Sequence, residues 1–249
     1  MTRFPAIARK TSPRRRPAFH PRAESLEGRK LLSAGALDLS FGNGGFVLTS
    51  PRPDTKRGEE TGPDEASAVH IQSDGSILVA GYSGHDFSIV RLTPSGAKDP
   101  SFGSGGGVVT DFFGNLDTAS DMAIQTNGRI IVVGTVQATA AKSGKIAFDA
   151  SNDFGVVRYL PNGALDNSFG PNGNGKVNTN ISTYLSDNAN INKFDSAGAV
   201  ALQSDGKIVV GGGSGAAPRT MNLMPCWFAT MLPAISTHPL AKVARWQPP

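Results

Sequence analysis

Aspartates and serines recur at a fixed spacing in this sequence, and oxygen side chains of this kind are ligands for hard cations. Three segments contain Asp-x-Ser-Phe-Gly, with the aspartate at position 38, 99 or 166. Calcium takes six to eight oxygen ligands, whereas each copy supplies one carboxylate and no Asp-x-Asp ladder. We therefore favour turn capping, in which the carboxylate accepts backbone N–H bonds. We expect no cofactor, with calcium as the disfavoured alternative.

The other polar residues do not form a catalytic pattern. The four histidines share no metal-ligand spacing, and the loop pair His85-Asp86 has no serine in a Gly-x-Ser-x-Gly elbow to act upon. The glycine-rich run 103–107 is similar to a phosphate loop, but such a loop precedes a helix, and Val108-Val109-Thr110 is typical of a strand. We expect no catalytic, cofactor-binding or metal-ligating residues, and a protein that is not an enzyme.

Positive charge is concentrated at the two ends of the chain. Residues 1–30 carry nine Lys/Arg against two Glu, whereas residues 31–215 contain twelve bases and eighteen acids. A surface for phosphates would have to be the N-terminal arm alone, through Arg14-Arg15-Arg16. We expect no nucleic-acid partner. Residues 1–34 lack apolar periodicity and are predicted to be a disordered basic arm with a possible export segment.

Targeting and redox signals are sparse. No apolar run reaches the eighteen or more residues that span a bilayer, so we expect no membrane span. The apolar part of a secretion signal is limited to Leu31-Leu32. The single cysteine, Cys226, excludes an intramolecular disulfide framework and a CxxC metal site.

Internal repetition is the strongest signal in the sequence. The signature aspartates are 61 and then 67 positions apart. An Ile/Val-rich block with a central Asp-Gly or Asn-Gly follows each signature, and Phe-x-x-x-Arg closes the first two units at Arg91 and Arg158. The signature residues are Asp38, Ser40, Phe41, Gly42, Asp99, Ser101, Phe102, Gly103, Asp166, Ser168, Phe169 and Gly170. The turn residues are Asp74, Gly75, Asn127, Gly128, Asp205 and Gly206.

These blocks predict an all-β fold of tandem four-stranded antiparallel units. Asp-Gly between β-rich runs indicates a hairpin whose two turn residues both take positive φ. The stretches Phe46–Thr49 and Val108–Thr110 are expected to supply a fourth strand. We expect the signature phenylalanines to be buried between neighbouring units. We expect the repeated arginines to pair with carboxylates or carbonyls between units.

Residues 35–215 resemble the bacterial delta-60 repeat proteins, with units at about 35–95, 96–162 and 163–215. The resemblance implies a partial β-propeller-like array, an exported or cell-surface location and no assigned chemistry. The segment Glu24–Ala34 resembles the Leu-Glu-x-Arg-x-Leu-Leu-Ser-Ala segment of planctomycete surface proteins, which implies export by a route that the sequence does not identify. An inert basic tail is the alternative.

Residues 216–249 stop matching the repeat. Read one base out of frame, Cys226 followed by Trp227 forces Leu, and the next steps permit Val-Arg-Tyr, the missing closing strand. An offset starting within Ser236 permits the signature again. We therefore favour a frameshifted tail over a divergent cap. The chain then holds two complete units and part of a third, whereas closed propellers need four to eight blades. We expect a marginally stable, aggregation-prone body, because open strand edges pair promiscuously.

Three functional hypotheses follow, in this order. The first is a non-enzymatic, exported or cell-surface module that binds a protein or glycan through the variable loops Thr49–Glu65, Val136–Asn152 and Asn178–Asp195. The second is a propeller-type hydrolase or lyase with its site in missing blades. The third is nucleic-acid binding through the arm. A truncated, non-functional fragment of a longer repeat protein is a further alternative. The sequence identifies neither the ligand, the blade number nor the oligomeric state.

Overall fold

The computed structural model describes residues 35–52, 63–138, 151–181, 192–217, 226–232 and 242–245. Met1–Ala36 and Leu37–Pro249 are separate compact units, and all the described strands belong to the second. The arm 1–34 and most of each predicted variable loop lie outside the described residues. Among the residues that are described, no helix has the length and apolarity to cross a membrane.

Twelve strands in the described residues form a four-stranded sheet and an eight-stranded sheet. The eight-stranded sheet consists of two four-stranded antiparallel sets, which we describe as sheets 2 and 3. Sheet 1 contains β1 (Asp64–Ile71), β2 (Ile77–Ser83), β3 (Asp86–Leu92) and β4 (Gly107–Thr110). Sheet 2 contains β5 (Asp117–Ile124), β6 (Ile130–Gln137), β7 (Asn152–Tyr159) and β8 (Lys176–Thr179). Sheet 3 contains β9 (Asn192–Leu202), β10 (Ile208–Ala217), β11 (Cys226–Leu232) and β12 (Lys242–Arg245). A single parallel pair, Asn152 with Phe194, joins sheets 2 and 3. The prediction of tandem four-stranded antiparallel units is confirmed.

The three sheets share one register. The first and second strands of each sheet pair with an irregularity near their middle, between Ala66 and Ala68, between Ala119 and Asp121, and between Gly211 and Gly212. Aligning the sheets on this feature makes Gly81, Gly134 and Gly212 equivalent. Residues at the same distance from these glycines therefore occupy equivalent positions in the three sheets.

The cores lie between the sheets. The face of sheet 1 that carries Leu78 and Ile89 packs on the face of sheet 2 that carries Ile130 and Val132. The opposite face of sheet 2, with Ile131 and Val133, packs on sheet 3. We call the face that packs on the following sheet the leading face, and the other the trailing face. Because both faces of β6 are covered, its continuous Ile-Ile-Val-Val run is fully buried.

The sheets and the sequence units are out of phase by one strand. β4 follows the second signature, within the predicted unit 96–162, yet it pairs with β3 of the preceding unit. β8 follows the third signature and pairs with β7 in the same way. Sheets 1 and 2 are therefore each completed by a strand that belongs to the next sequence unit.

Two strand expectations were wrong. Phe46–Thr49 forms only an isolated bridge, between Gly42 and Phe46, because a fourth strand pairs with the closing strand of a preceding unit and the described residues contain none here. The third unit is not partial in its backbone, since β11 pairs with β10 and β12 pairs with β11. These two strands take the third and fourth positions of a sheet despite the lost sequence motif.

Candidate functional site

The strand directions separate the connections of the array into two ends. The strands that flank the links between second and third strands, at 84–85 and 138–151, meet those links at one end of the sheets, and so do the strands that flank the links from one sheet to the next, at 111–116 and 180–191. The hairpin turns and the signatures lie at the other end. We call these the loop end and the signature end. The described strand ends that flank the three predicted variable loops therefore lie at the loop end, whereas the repeated motifs lie opposite.

An aspartate lies at or near the start of the first strand of each sheet, on the side of the loop end. Register places Asp64, Asp117 and Asp195 at equivalent positions, opposite Ser83, Val136 and Ser214. Sequence reasoning missed this fourth repeated element. Its signal was present as Asp-x-Ala ahead of each Ile/Val-rich block, which would have marked the aspartate as part of the repeat.

Three carboxylates converge where sheets 1 and 2 meet at the loop end. Asp86, Asp111 and Asp117 each place one oxygen within 4.8 Å of the others. Asp86 forms an ion pair with Arg52 at 3.0 Å, and Asp111 is exposed. Asp117 is fully buried, and its two oxygens accept N–H bonds from Phe112 at 2.8 Å and from Gln137 at 3.2 Å. Asp117 therefore fixes the links on either side of it.

Burial raises the pKa of Asp117 to about 6. The two backbone N–H bonds oppose this shift, since they stabilise the ionised carboxylate, and the negative charges of Asp111 and Asp86 add to it. The result is a carboxyl group that exchanges its proton near neutral pH. The equivalent positions between sheets 2 and 3 hold Asp153 and Asp195, where Ser214 donates to Asp195.

At the signature end, Asp99 caps its own turn and binds the repeated arginine. Its Oδ1 accepts from the backbone N–H and the hydroxyl of Ser101, at 2.9 and 2.7 Å, and Arg91 Nε donates to its Oδ2 at 2.8 Å. The Arg91 guanidinium lies 4.8 Å from the centre of the Phe102 ring and donates to the carbonyl of Pro161 in the next unit at 2.9 Å. The expected pairing of Arg91 with a carboxylate and a carbonyl is confirmed.

Asp166 makes the same kinds of contact as Asp99 but is less exposed to solvent. Ser168 donates its N–H and hydroxyl to Oδ1 at 3.0 and 2.6 Å, while Arg158 and Arg129 both contact Oδ2, at 2.8 and 2.7 Å. Burial alone would raise the pKa of Asp166, but the bonds from Ser168 and Arg129 and the charge of Arg158 outweigh it and lower the pKa to about 2. Both carboxylate oxygens of Asp166 therefore take part in contacts that stabilise the third signature.

The first signature is incomplete by comparison. Ser40 donates to Asp38 at 3.0 Å through its N–H and at 2.6 Å through its hydroxyl, but no arginine contacts Asp38 among the described residues. Phe102 and Phe169 are fully buried between sheets, whereas Phe41 is only half-buried. The expectation that all three phenylalanines are buried is wrong for Phe41, because the described residues place no complete sheet before it.

The glycines of the signature permit a close turn. Gly42, Gly103 and Gly170 have φ of 56°, 54° and 83°, in the region that favours glycine. A Cβ on Gly103 would lie 2.3 Å from the carbonyl oxygen of Gly107. This position therefore needs glycine both for its backbone conformation and for space.

The hairpin turns lie where the sequence predicts them, but their type differs. Asp74-Gly75, Asn127-Gly128 and Asp205-Gly206 each connect the first two strands of a sheet. Only the glycines have positive φ, at 84°, 79° and 85°, so the expectation that both turn residues take positive φ is wrong. The loop is one residue longer than a two-residue turn and places a single residue in the left-handed region. Asp74 accepts the N–H of Ser76 instead.

The comparison with protein families agrees with this architecture. Residues 72–102, 125–169 and 203–220 match a family described as "Domain of unknown function (DUF5122) beta-propeller". These three segments are similar to the repeats of that family. Each matched segment of this propeller-like chain starts at the glutamine before a hairpin turn, and the first two end on Phe102 and Phe169. A search of curated proteins found no match.

Proposed function

We propose that this propeller-like chain is a non-enzymatic binding module, exported or held at the cell surface, that recognises a protein or glycan with its loop end. The observation that supports this proposal is the separation of the two ends. The links at the loop end range from residues 84–85 to residues 138–151, while the signature end repeats the same contacts. Variable loops on a rigid scaffold are where recognition usually lies.

Loop replacement tests this proposal. Residues 139–150 are replaced by a short Gly-Ser linker, and binding of the purified chain to cell-surface extract and to a glycan array is compared with that of the unaltered chain. We expect the loop variant to lose a captured ligand. Thr126→Ala, an exposed turn residue at the signature end, is the matched control and retains it. A ligand that still binds after all three variable loops have been replaced contradicts the proposal.

A hydrolase or lyase is the second candidate, and one observation favours it. Asp117 has a pKa raised to about 6 and lies beside Asp86 and Asp111, a setting in which a carboxyl group can act as acid or base. The bonds of both its oxygens to backbone N–H groups favour the structural role. Turnover in a hydrolase and lyase panel that is lost in Asp117→Asn would replace the binding proposal.

A further inference from the structure

An aromatic ring from one sheet fits beside a glycine of the next sheet at both junctions within this chain. Phe87, on the leading face of sheet 1, lies where a Cβ on Gly134 would be 2.9 Å from its ring. Phe154, on the leading face of sheet 2, lies where a Cβ on Gly212 would be 2.7 Å from its ring. Glycine at these positions therefore makes a socket for the ring.

The equivalent socket on the trailing face of sheet 1 is empty in the described part of the chain. Gly81 is the register equivalent of Gly134 and lines a cavity of about 240 Å³ together with Val79, Ser88 and Leu48. The atoms nearest to a Cβ on Gly81 would be backbone atoms of Glu65 and Ala66, whereas those nearest to a Cβ on Gly134 or Gly212 include a phenylalanine ring of the preceding sheet. The cavity thus marks where the ring of a preceding sheet belongs.

The β1 edge of this trailing face is also uncovered, whereas Val90 and Leu92 of β3 on the same face are buried. Val69 and Ile71 are 69% and 68% exposed. Their equivalents in sheet 2 are Met122, which is 8% exposed, and Ile124, which packs against the core between sheets 1 and 2. At the junction between sheets 1 and 2 of this chain, and again between sheets 2 and 3, a trailing face is covered by the leading face of another sheet of the same repeat.

The same chain also supplies a matching leading face. In sheet 3, Val209 takes the register position of Leu78 and Ile131, which are fully buried, and is itself only half-buried. Trp227 pairs with Gly213 at the position where Phe87 pairs with Tyr82 and Phe154 with Thr135. The sequence therefore has an aromatic residue at the register position of Phe87 and Phe154, and the described residues contain no sheet that follows sheet 3.

We propose that two copies of this chain associate head to tail, with the leading face of sheet 3 in each covering the trailing face of sheet 1 in the other, so that the register position of Trp227 meets the socket at Gly81. Such an interface joins unlike surfaces and closes when the rotation per step allows. Two copies supply six sheets, within the four to eight of closed propellers. In this pair, Phe46–Thr49 of one copy takes the place of β12 beside β11 of the other, because both segments occupy the fourth-strand position.

Sedimentation velocity of the full chain over a concentration series tests the pair. The expected species has twice the 25.9 kDa chain mass and dissociates on dilution. Val69→Lys with Ile71→Lys places charge on the trailing face and is expected to abolish this species. Both residues are exposed, so folding is retained, as circular dichroism checks. His70→Lys changes the same strand on its other face and is the matched control that keeps the pair.

A mixing experiment distinguishes this specific pair from nonspecific association. Trp227→Ala changes the register position that Phe87 and Phe154 take in sheets 1 and 2 and leaves sheet 1 unaltered, so it is expected to weaken association on its own. Mixed with the Val69→Lys, Ile71→Lys variant, it is expected to form a heterodimer through the one junction whose two faces are both unaltered. A wild-type chain that is monomeric at every soluble concentration, a ladder of larger species, or no heterodimer on mixing overturns the proposal.

Discussion

Arg91 and Arg158 hold the same position in sheets 1 and 2, but water reaches their ion pairs to different extents. The side chains of Arg158 and Asp166 are 3% and 5% exposed, against 15% and 20% for Arg91 and Asp99. Breaking a buried pair leaves an uncompensated charge and costs about 3 kcal/mol or more, whereas more solvated pairs contribute about 1 kcal/mol or less. We expect Arg158→Ala to lower the free energy of unfolding by roughly 3 kcal/mol and Arg91→Ala by about 1 kcal/mol. Urea titration measures both, and equal losses would contradict the difference in burial.

Asp117 predicts a pH dependence at the residue scale. Its pKa is about 6 in the folded chain against 3.8 for the ordinary group, so the folded state binds the proton more tightly between these values. Stability is therefore fully present below about pH 4 and falls as pH rises to about 6, by at most roughly 3 kcal/mol. Chemical denaturation across this window checks the sign. Asp117→Asn removes the titrating group, so a decrease of the same size in that variant would assign the effect elsewhere.

The residue types in the sequence predicted the role of an individual side chain better than they predicted which residues it contacts. The turn-capping role of the signature aspartates followed from their place before glycine, and the pairing of the arginines with carboxylates followed from their repetition. The carboxylate cluster of Asp86, Asp111 and Asp117 did not, because Asp86 begins β3 while the other two flank the link from β4 to β5, and only sheet packing brings these two regions together. Local sequence has no signal for such a meeting.

At the scale of elements, Gly134 shows how closely two sheets approach. A Cβ there would lie 2.0 Å from the carbonyl oxygen of Thr118 and 2.9 Å from Phe87, so Gly134→Ala forces β5 or Phe87 to move. Overpacking of this kind costs about 1–3 kcal/mol, and we expect the upper part of that range in a denaturant titration. Gly105→Ala is the control, since its Cβ would meet no atom within 4 Å and only φ of 63° opposes it, which costs about 1 kcal/mol. A smaller loss in Gly134→Ala than in the control would contradict the close packing.

Strands could be predicted from the sequence where the two paired strands are close to each other along the chain. The Ile/Val-rich runs on either side of each Asp-Gly pair became β1–β2, β5–β6 and β9–β10 because the hairpin supplies its own partner strand. Phe46–Thr49 has the composition of a strand but depends on a distant partner, and it forms only a bridge. The Cys226–Leu232 strand shows the reverse, since its sequence lost the motif while an available edge on β10 keeps it paired.

For the molecule as a whole, the buried signature rings join one sheet to the next. Phe102 belongs to the core between sheets 1 and 2, and Phe102→Ala is expected to cost about 3–5 kcal/mol. At chain concentrations low enough to dissociate the proposed pair, Phe41→Ala, at the half-buried equivalent, is expected to cost much less because it has less core to lose. Thermal and chemical unfolding of the two variants compares them directly. Similar losses would mean that Phe41 is covered in solution, as association of two copies would produce.

The extent of the array was the hardest feature to predict. The sequence indicated two units and part of a third, and the described backbone has three sheets, because pairing tolerates a sequence that no longer follows the motif. The frameshift hypothesis for residues 216–249 concerns the gene and stays a prediction. The nucleotides downstream of codon 215 test it, and the absence of any one-base offset that restores the signature would reject it.

The one-strand displacement between sheets and sequence units has a consequence for how such a chain can be cut or lengthened. A fragment taken at the sequence period, such as 96–162, carries β4 without β3 and leaves β7 without β8. A fragment such as 63–110 keeps a whole sheet. Excising, grafting or duplicating a module should therefore follow the hydrogen-bonded boundary, and a gene duplicated at the sequence period interlocks each new copy with its neighbour through a shared sheet.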